Sequence, residues 1–236
     1  MAIAAATPPD EARIHALLTE TQSLRMTEGL PRIPADAYSR ALSGELVTGT
    51  QKVEGARARK LWGVGVIDAP IHTLWGAIND ELLQPEFTTL TYAARLSGEA
   101  CTSGRHVLQV VDVGVPLVAD RWWVTERTPN PDLETATGGQ VREMRWENAP
   151  NTLTITDATH LEAIGAATRV TFTRGSWLLI RLNDRQTLTQ YYSWADPGGN
   201  LDPAMMAWFT GKTVRKTFAA MDRLSNDQRL ACIGPE

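Results

Sequence analysis

The chain has 236 residues, 43% of them hydrophobic, and a formal net charge of −4 with a pI near 5.6. That length is long for one average domain and short for two, and the apolar content is ample for a packed interior. The acidic balance argues against nucleic acid as a default partner, because phosphate binding needs a basic footprint. No apolar run approaches the roughly 18 residues of a spanning helix; the longest candidate, Val107 to Ala119, is interrupted by Gln109, Asp112 and Pro116. The opening MAIAAATPPDEAR lacks the basic start and long apolar stretch of a secretory leader. Cys101 and Cys232 make neither a CxxC nor a disulfide framework. They read as reduced thiols in a cytoplasmic protein, with a single bridge as the alternative.

In chain order, Thr7-Pro8-Pro9-Asp10 starts a helix, with Thr7 as cap and Asp10 in the capping-box place. Ile14, Leu17, Leu18 and Thr21 follow with helical spacing, and Gly29-Leu30-Pro31 ends the segment. Ala35 to Leu42 is a second short helix. Residues 1–44 therefore read as a helical extension packed on a main domain of residues 45–236. Trp62, Val64 and Val66 alternate as in a half-buried strand. Asp68 caps a helix with Pro70 in its first turn and Ile71, Leu74, Trp75 and Ile78 on one face. Asn79 to Glu86 is irregular or a short second helix.

A run of strands follows. Leu90, Tyr92, Ala94 and Leu96 share one face of the first; Arg105 to Val113 and Val118 to Arg127 form the next two, broken by Gly114-Val115-Pro116. Pro129 to Gly139 reads as a loop and Val141 to Glu147 as a strand. Leu153, Ile155 and Leu161 fit a strand or a long loop. Val170 to Leu182 is a strand, broken or bulged near Gly175, and it turns at Asn183-Asp184 into Thr187 to Ala195. Asp196-Pro197-Gly198-Gly199 is a turn, and Asp202-Pro203 opens a long helix. On that helix Ala204, Ala207, Gly211, Val214, Phe218 and Met221 recur at three- and four-residue steps. Antiparallel strands with segregated helices predict an α+β fold.

The pieces GVGVIDAPIHTLWGAIND, VPLVADRWWV and GSWLLIRLNDRQTLTQYYSWADPGG, with the closing helix, resemble the START lipid-transfer domains of the helix-grip superfamily, which also holds polyketide-cyclase-like proteins. The resemblance runs from about Glu45 to Leu224. It implies a curved antiparallel sheet wrapped around the long C-terminal helix, with an internal apolar cavity for one lipid or other hydrophobic small molecule. The expected lining is Tyr92, Leu108, Arg121, Trp123, Met144, Trp146, Tyr192, Ala207, Gly211, Val214 and Phe218. A dry void of about 500 Å³ would cost roughly 12 kcal/mol, comparable to a whole domain's stability, so an occupied, wet or polar-lined space is expected.

Chemistry is sparse. GxSxG and HExxH are absent, and His15, His72, His106 and His160 are scattered, so neither a nucleophile nor a metal site is expected, and no cofactor is implied. Arg121 either holds a ligand's polar head or sits on the outer sheet face. His106 and Asp112 share a face and would serve an acid–base reaction only if they faced the cavity. The leading expectation is a carrier of a hydrophobic molecule, with a transient membrane contact through Lys212, Arg215 and Lys216 or through Trp208 and Phe209. The runner-up is a cyclase- or dehydratase-like enzyme in the same space, built from His106, Arg121 or a tyrosine.

Overall fold

In the computed structural model, residues 11–150, 153–198 and 203–230 are described, with side chains of the last segment from residue 213 onward. The Thr7 cap therefore lies outside the described residues, as do Cys232 and the side chains of Ala207, Trp208, Phe209, Gly211 and Lys212.

Two helices, α1 (Glu11–Glu20) and α2 (Asp36–Leu42), precede β1 (Val47–Gln51) and β2 (Lys60–Ile67). Next come α3 (Ile71–Asn79), the single turn α4 (Gln84–Phe87), β3 (Leu90–Ser97), β4 (Arg105–Val111) and β5 (Arg121–Pro129). After α5 (Pro131–Ala136) and β6 (Val141–Asn148) lie α6 (Ala158–Ile164) and the two-residue β7 (Thr168–Arg169). The chain closes with β8 (Phe172–Arg181), β9 (Thr187–Asp196) and α7 (Pro203–Leu224). The strands form one sheet in the order β1-β2-β9-β8-β6-β5-β4-β3, antiparallel along that path, with β7 added in parallel to β5. This is an α+β fold in which a curved antiparallel sheet holds a long terminal helix on one face.

The local departures from the sequence reading have physical causes. Residues 129–139 contain a helix because Asn130 caps it, its side chain accepting from the Leu133 amide, with Pro131 in the first turn. Residues 158–164 are helical, capped by Asp157, which accepts from the Thr159 and His160 amides. Asp68 does not cap α3; it accepts from Gln186 Nε2. Strand β8 runs through Gly175 in unbroken register. Glycine is needed there because the Trp146 ring and the Tyr192 carbonyl occupy the place of a Cβ.

Strand alternation divides the sheet into two faces. The inner face meets α3, α4 and α7 in a core holding Ile67, Leu74, Trp75, Met144, Trp177 and Phe218. The outer face is covered by α1 and α2, which bury Trp62, Val64, Leu178 and Leu188, and at its other end by α6 over Leu108 and Val124. Gly63 and Gly65 bring α7 close: a Cβ at Gly63 would lie 2.6 Å from Val214 Cγ1, and one at Gly65 3.3 Å from Phe218 Cε1.

Candidate functional site

The C-terminal half of α7 seals a packed interior. Val214, Phe218, Met221 and Leu224 are buried there, seated on β2 and α3. Its end is fastened to α4: Arg223 donates to the Phe87 carbonyl, and Arg229 forks onto Glu86 at 2.8 and 3.1 Å. The side chains of the first half of the helix lie outside the described residues.

Below it an aromatic chain crosses the inner face. Trp146 stacks on Tyr191 with centroids 5.8 Å apart, Tyr191 meets Trp177 at 4.6 Å, and Trp177 meets Phe218 at 5.9 Å. Trp177 and Phe218 are buried, whereas Trp146, Tyr191 and Leu61, and Trp123 farther along β5, remain half-exposed although they point inward. Burial raises the pKa of the Tyr191 hydroxyl, and its hydrogen bond with Ser193 only partly opposes this.

Beside the aromatic chain lies a buried polar cluster built from β3, β4, β5 and the α3–α4 connection. Glu81 is fully buried and accepts from Arg95 Nε at 2.7 Å and from Arg105 Nε at 3.4 Å. Arg105, also fully buried, donates to Asn79 Oδ1 at 2.6 Å and to the Thr102 carbonyl at 2.8 Å. Arg127 reaches the Ile78 carbonyl at 3.3 Å and Gln84 Oε1 at 3.5 Å, and its Nε has no partner. Thr125, two residues earlier on the same face, has an unpartnered hydroxyl. Gln109 links the cluster to the aromatics, accepting from Trp123 Nε1 at 3.0 Å and donating to Gln84 at 3.2 Å. Burial would push the Glu81 carboxyl up, but Arg127, Arg105 and Arg95 together hold it below its ordinary value. Burial lowers the Arg127 guanidinium to about 10.

Among solved structures, the chain is similar to the STAR-related lipid transfer protein of Xanthomonas axonopodis, with TM-score 0.63 and 18% identity over 78% of this chain and 98% of that one. It is also similar to human StAR-related lipid transfer protein 5, with TM-score 0.62 and 10% identity over 91% of this chain and 96% of that one. Sequence comparison with family models and with curated proteins gives no match. The chain has the START-like helix-grip fold. Within that fold the expected lining residues separate by strand phase. Trp123, Met144 and Trp146 face inward with Val214 and Phe218, but Met144, Val214 and Phe218 belong to the sealed core. Tyr92 and Leu108 lie on the outer face under α6, where the Tyr92 hydroxyl meets His160 Nδ1 at 2.7 Å. Tyr192 is also outward and fully buried, its hydroxyl unpartnered and pushed up to about 12 by burial. Ala207 and Gly211 lie outside the described side chains.

Arg121 is buried and donates to the Pro197 carbonyl at 2.7 Å and to the Ala119 carbonyl. It holds the corner from which the chain departs toward α7. His106 is on the outer face, with Nδ1 2.7 Å from Ser97 Oγ, so it does not meet Arg121 or Tyr191. The Glu81–Arg127 cluster was missed in the sequence. Its signal was present in the spacing Arg105, Val107, Gln109 and Thr125, Arg127, which places polar groups on an inward phase, but nothing in the sequence says which phase is inward. Among the described residues, no group of three or more His, Cys, Asp or Glu is placed to hold a metal ion, and no helix is long and apolar enough to cross a membrane.

Proposed function

We propose that the protein binds a lipid or other hydrophobic small molecule beneath the first half of α7 and carries it shielded from water. The observation that supports this most directly is the inward, stacked pair of Trp146 and Tyr191, left half-exposed beside a solid core, with Trp123 inward farther along β5. The two structural neighbours are named as lipid transfer proteins, which favours the same reading. Burial of a ligand's chain against such a wall contributes about 25 cal/mol per Å² of apolar surface removed from water, and the polar cluster supplies orientation.

Transfer between membranes would use transient surface contact, for which the exposed Arg215 and Lys216 of α7 offer positive charge. Residues 1–44 act in this reading as an extension that stiffens the outer face of the 45–236 domain. A cytoplasmic location loses one support, because Cys101 is disulfide-bonded rather than a reduced thiol. The enzymatic alternative has less support: His106 is on the outer face and Arg121 is spent on the Pro197 and Ala119 carbonyls, which leaves Tyr191 as its inward-facing candidate. Native mass spectrometry of gently purified protein, followed by titration with single-chain and two-chain lipids, tests the carrier reading. A retained or captured apolar ligand that quenches tryptophan emission is expected. Absence of binding across the panel would overturn it.

A further inference from the structure

The cations of the polar cluster outnumber the carboxylates available to them. Arg95, Arg105 and Arg127 converge on the single carboxylate of Glu81, and both of its oxygens are already taken by Arg95 and Arg105. The adjacent Asp80 turns an oxygen to the Leu83 amide at 3.3 Å. Arg127 is left with one backbone carbonyl and one amide oxygen, both at long range, although it is only 6% exposed. Its Nε and the hydroxyl of Thr125, itself 1% exposed, are two buried donors with nothing to donate to. An unpaired buried donor is costly, and a buried guanidinium more so. Both groups lie on the inner face. Arg127 is the cross-strand neighbour of Trp146, and Thr125 follows Trp123 by two residues, so both adjoin the half-exposed aromatics.

We infer that the bound lipid carries an anionic head, a carboxylate or a phosphate monoester, and that Arg127 and Thr125 hold it while the aromatic wall takes the chain. This rests on the carrier reading and narrows its ligand class. An anion supplies acceptors to both orphaned donors and a counter-charge to Arg127 at once. A neutral alcohol head would supply an acceptor without the charge. Glu81 does not compete, because displacing it would strip Arg95 and Arg105 of their only carboxylate in the cluster.

The test measures binding of oleate, 1-oleoyl lysophosphatidate and oleyl alcohol, three single-chain probes that differ in the head, to the full chain by tryptophan quenching and titration calorimetry. The wild type should bind one or both anionic probes about tenfold tighter than the alcohol, the equivalent of one charge-assisted hydrogen bond. Arg127→Gln should abolish that preference, weakening the anionic probes about tenfold more than the alcohol. Should Arg127→Gln not fold, Arg127→Lys and Thr125→Val carry the test, each expected to cut the preference about threefold. Equal affinity for all three heads, or a preference untouched by these substitutions, would overturn the inference and leave the carrier reading standing. Failure of all three probes to bind would remove both. Binding of inorganic phosphate as tight as that of the lysophosphatidate would show a free-ion site, and would also overturn the assignment of a lipid head.

Discussion

Glu143 and Glu81 are both fully buried, one on each face of the sheet, and they are treated differently. On the outer face Glu143 accepts from Arg25 Nε at 2.7 Å, the Met26 amide at 2.8 Å, Thr27 Oγ1 at 2.7 Å and Asn130 Nδ2 at 2.9 Å. One carboxylate is matched to one cation and three neutral donors, a clasp that ties the 25–27 strap to the sheet, with Arg25 Nη2 its one unpartnered donor. On the inner face Glu81 is shared among three arginines and leaves one of them short of acceptors. The two differ in cation count: Glu143 answers one arginine, Glu81 answers three, and the surplus positive charge on the inner face has capacity for a further anion.

The sharpest way to break this comparison is to neutralise each carboxylate. Glu143→Gln and Glu81→Gln should each cost about 3–5 kcal/mol, since each leaves buried arginine without its anion. Urea unfolding measures the loss, and hydrogen exchange at Met26 should rise only in the Glu143 variant. A loss below about 1 kcal/mol in either would mean that the carboxylate is not the keystone of its face.

A smaller effect is expected from the close approaches that set the inner wall. Gly175→Ala should cost about 2–3 kcal/mol, because its methyl would overlap the Trp146 ring and the immobile Tyr192 carbonyl. Gly63→Ala should cost less, about 1–2 kcal/mol, since Val214 on α7 can shift by a few tenths of an ångström. Thermal unfolding checks the order; equal losses would mean that Trp146 is not fixed over β8.

The arginines should then part company. Arg25→Met should cost about 2 kcal/mol because it unhooks Glu143, whereas Arg127→Met should leave the ligand-free protein within about 1 kcal/mol of wild type. If the Arg127 change costs as much as the Arg25 change, Arg127 is not a surplus cation in the ligand-free protein.

The smallest effect concerns pH. For both glutamates burial pushes the carboxyl up, but at Glu81 the charges of Arg127 and Arg105, and at Glu143 that of Arg25 with hydrogen bonds from Thr27 and Asn130, bring it below its ordinary value. A depressed folded-state pKa stabilises above the unfolded value of about 4.3 and loses that contribution as pH falls through the folded-state value. Stability should therefore hold from pH 7 to about 5 and decline below about 4, more gently in Glu143→Gln than in wild type. An identical acid slope in the two proteins would show that Glu143 adds nothing to it.

Much of the fold was legible because it rests on local signals. The apolar alternation of Trp62, Val64 and Val66, the Asp196-Pro197 corner and the three- and four-residue stripe Val214, Phe218, Met221 each specify an element from neighbouring residues alone. The two helices at 131–136 and 158–164 were less visible, being a turn or two long and stabilised by caps rather than by an apolar stripe. The site was hardest to read. Tyr92, Leu108 and Tyr192 sit on well-formed strands, yet alternation has two phases and both faces of this sheet are covered, so apolar residues occur on each. The Arg121 side chain, an open question in the sequence, finds its partners at Pro197, 76 residues away.

By itself, then, the order of residues determined most of the strands, most helices and the acidic net charge of the chain, because periodicity, turns and charge act over a few residues. The tertiary structure alone decided which sheet face α7 covers, that Val214 and Phe218 plug a core while Trp146 and Tyr191 stay half-exposed, and that three arginines share one glutamate. Those are facts of strand phase and long-range pairing, in which groups tens of residues apart acquire or lose a partner only when the sheet closes.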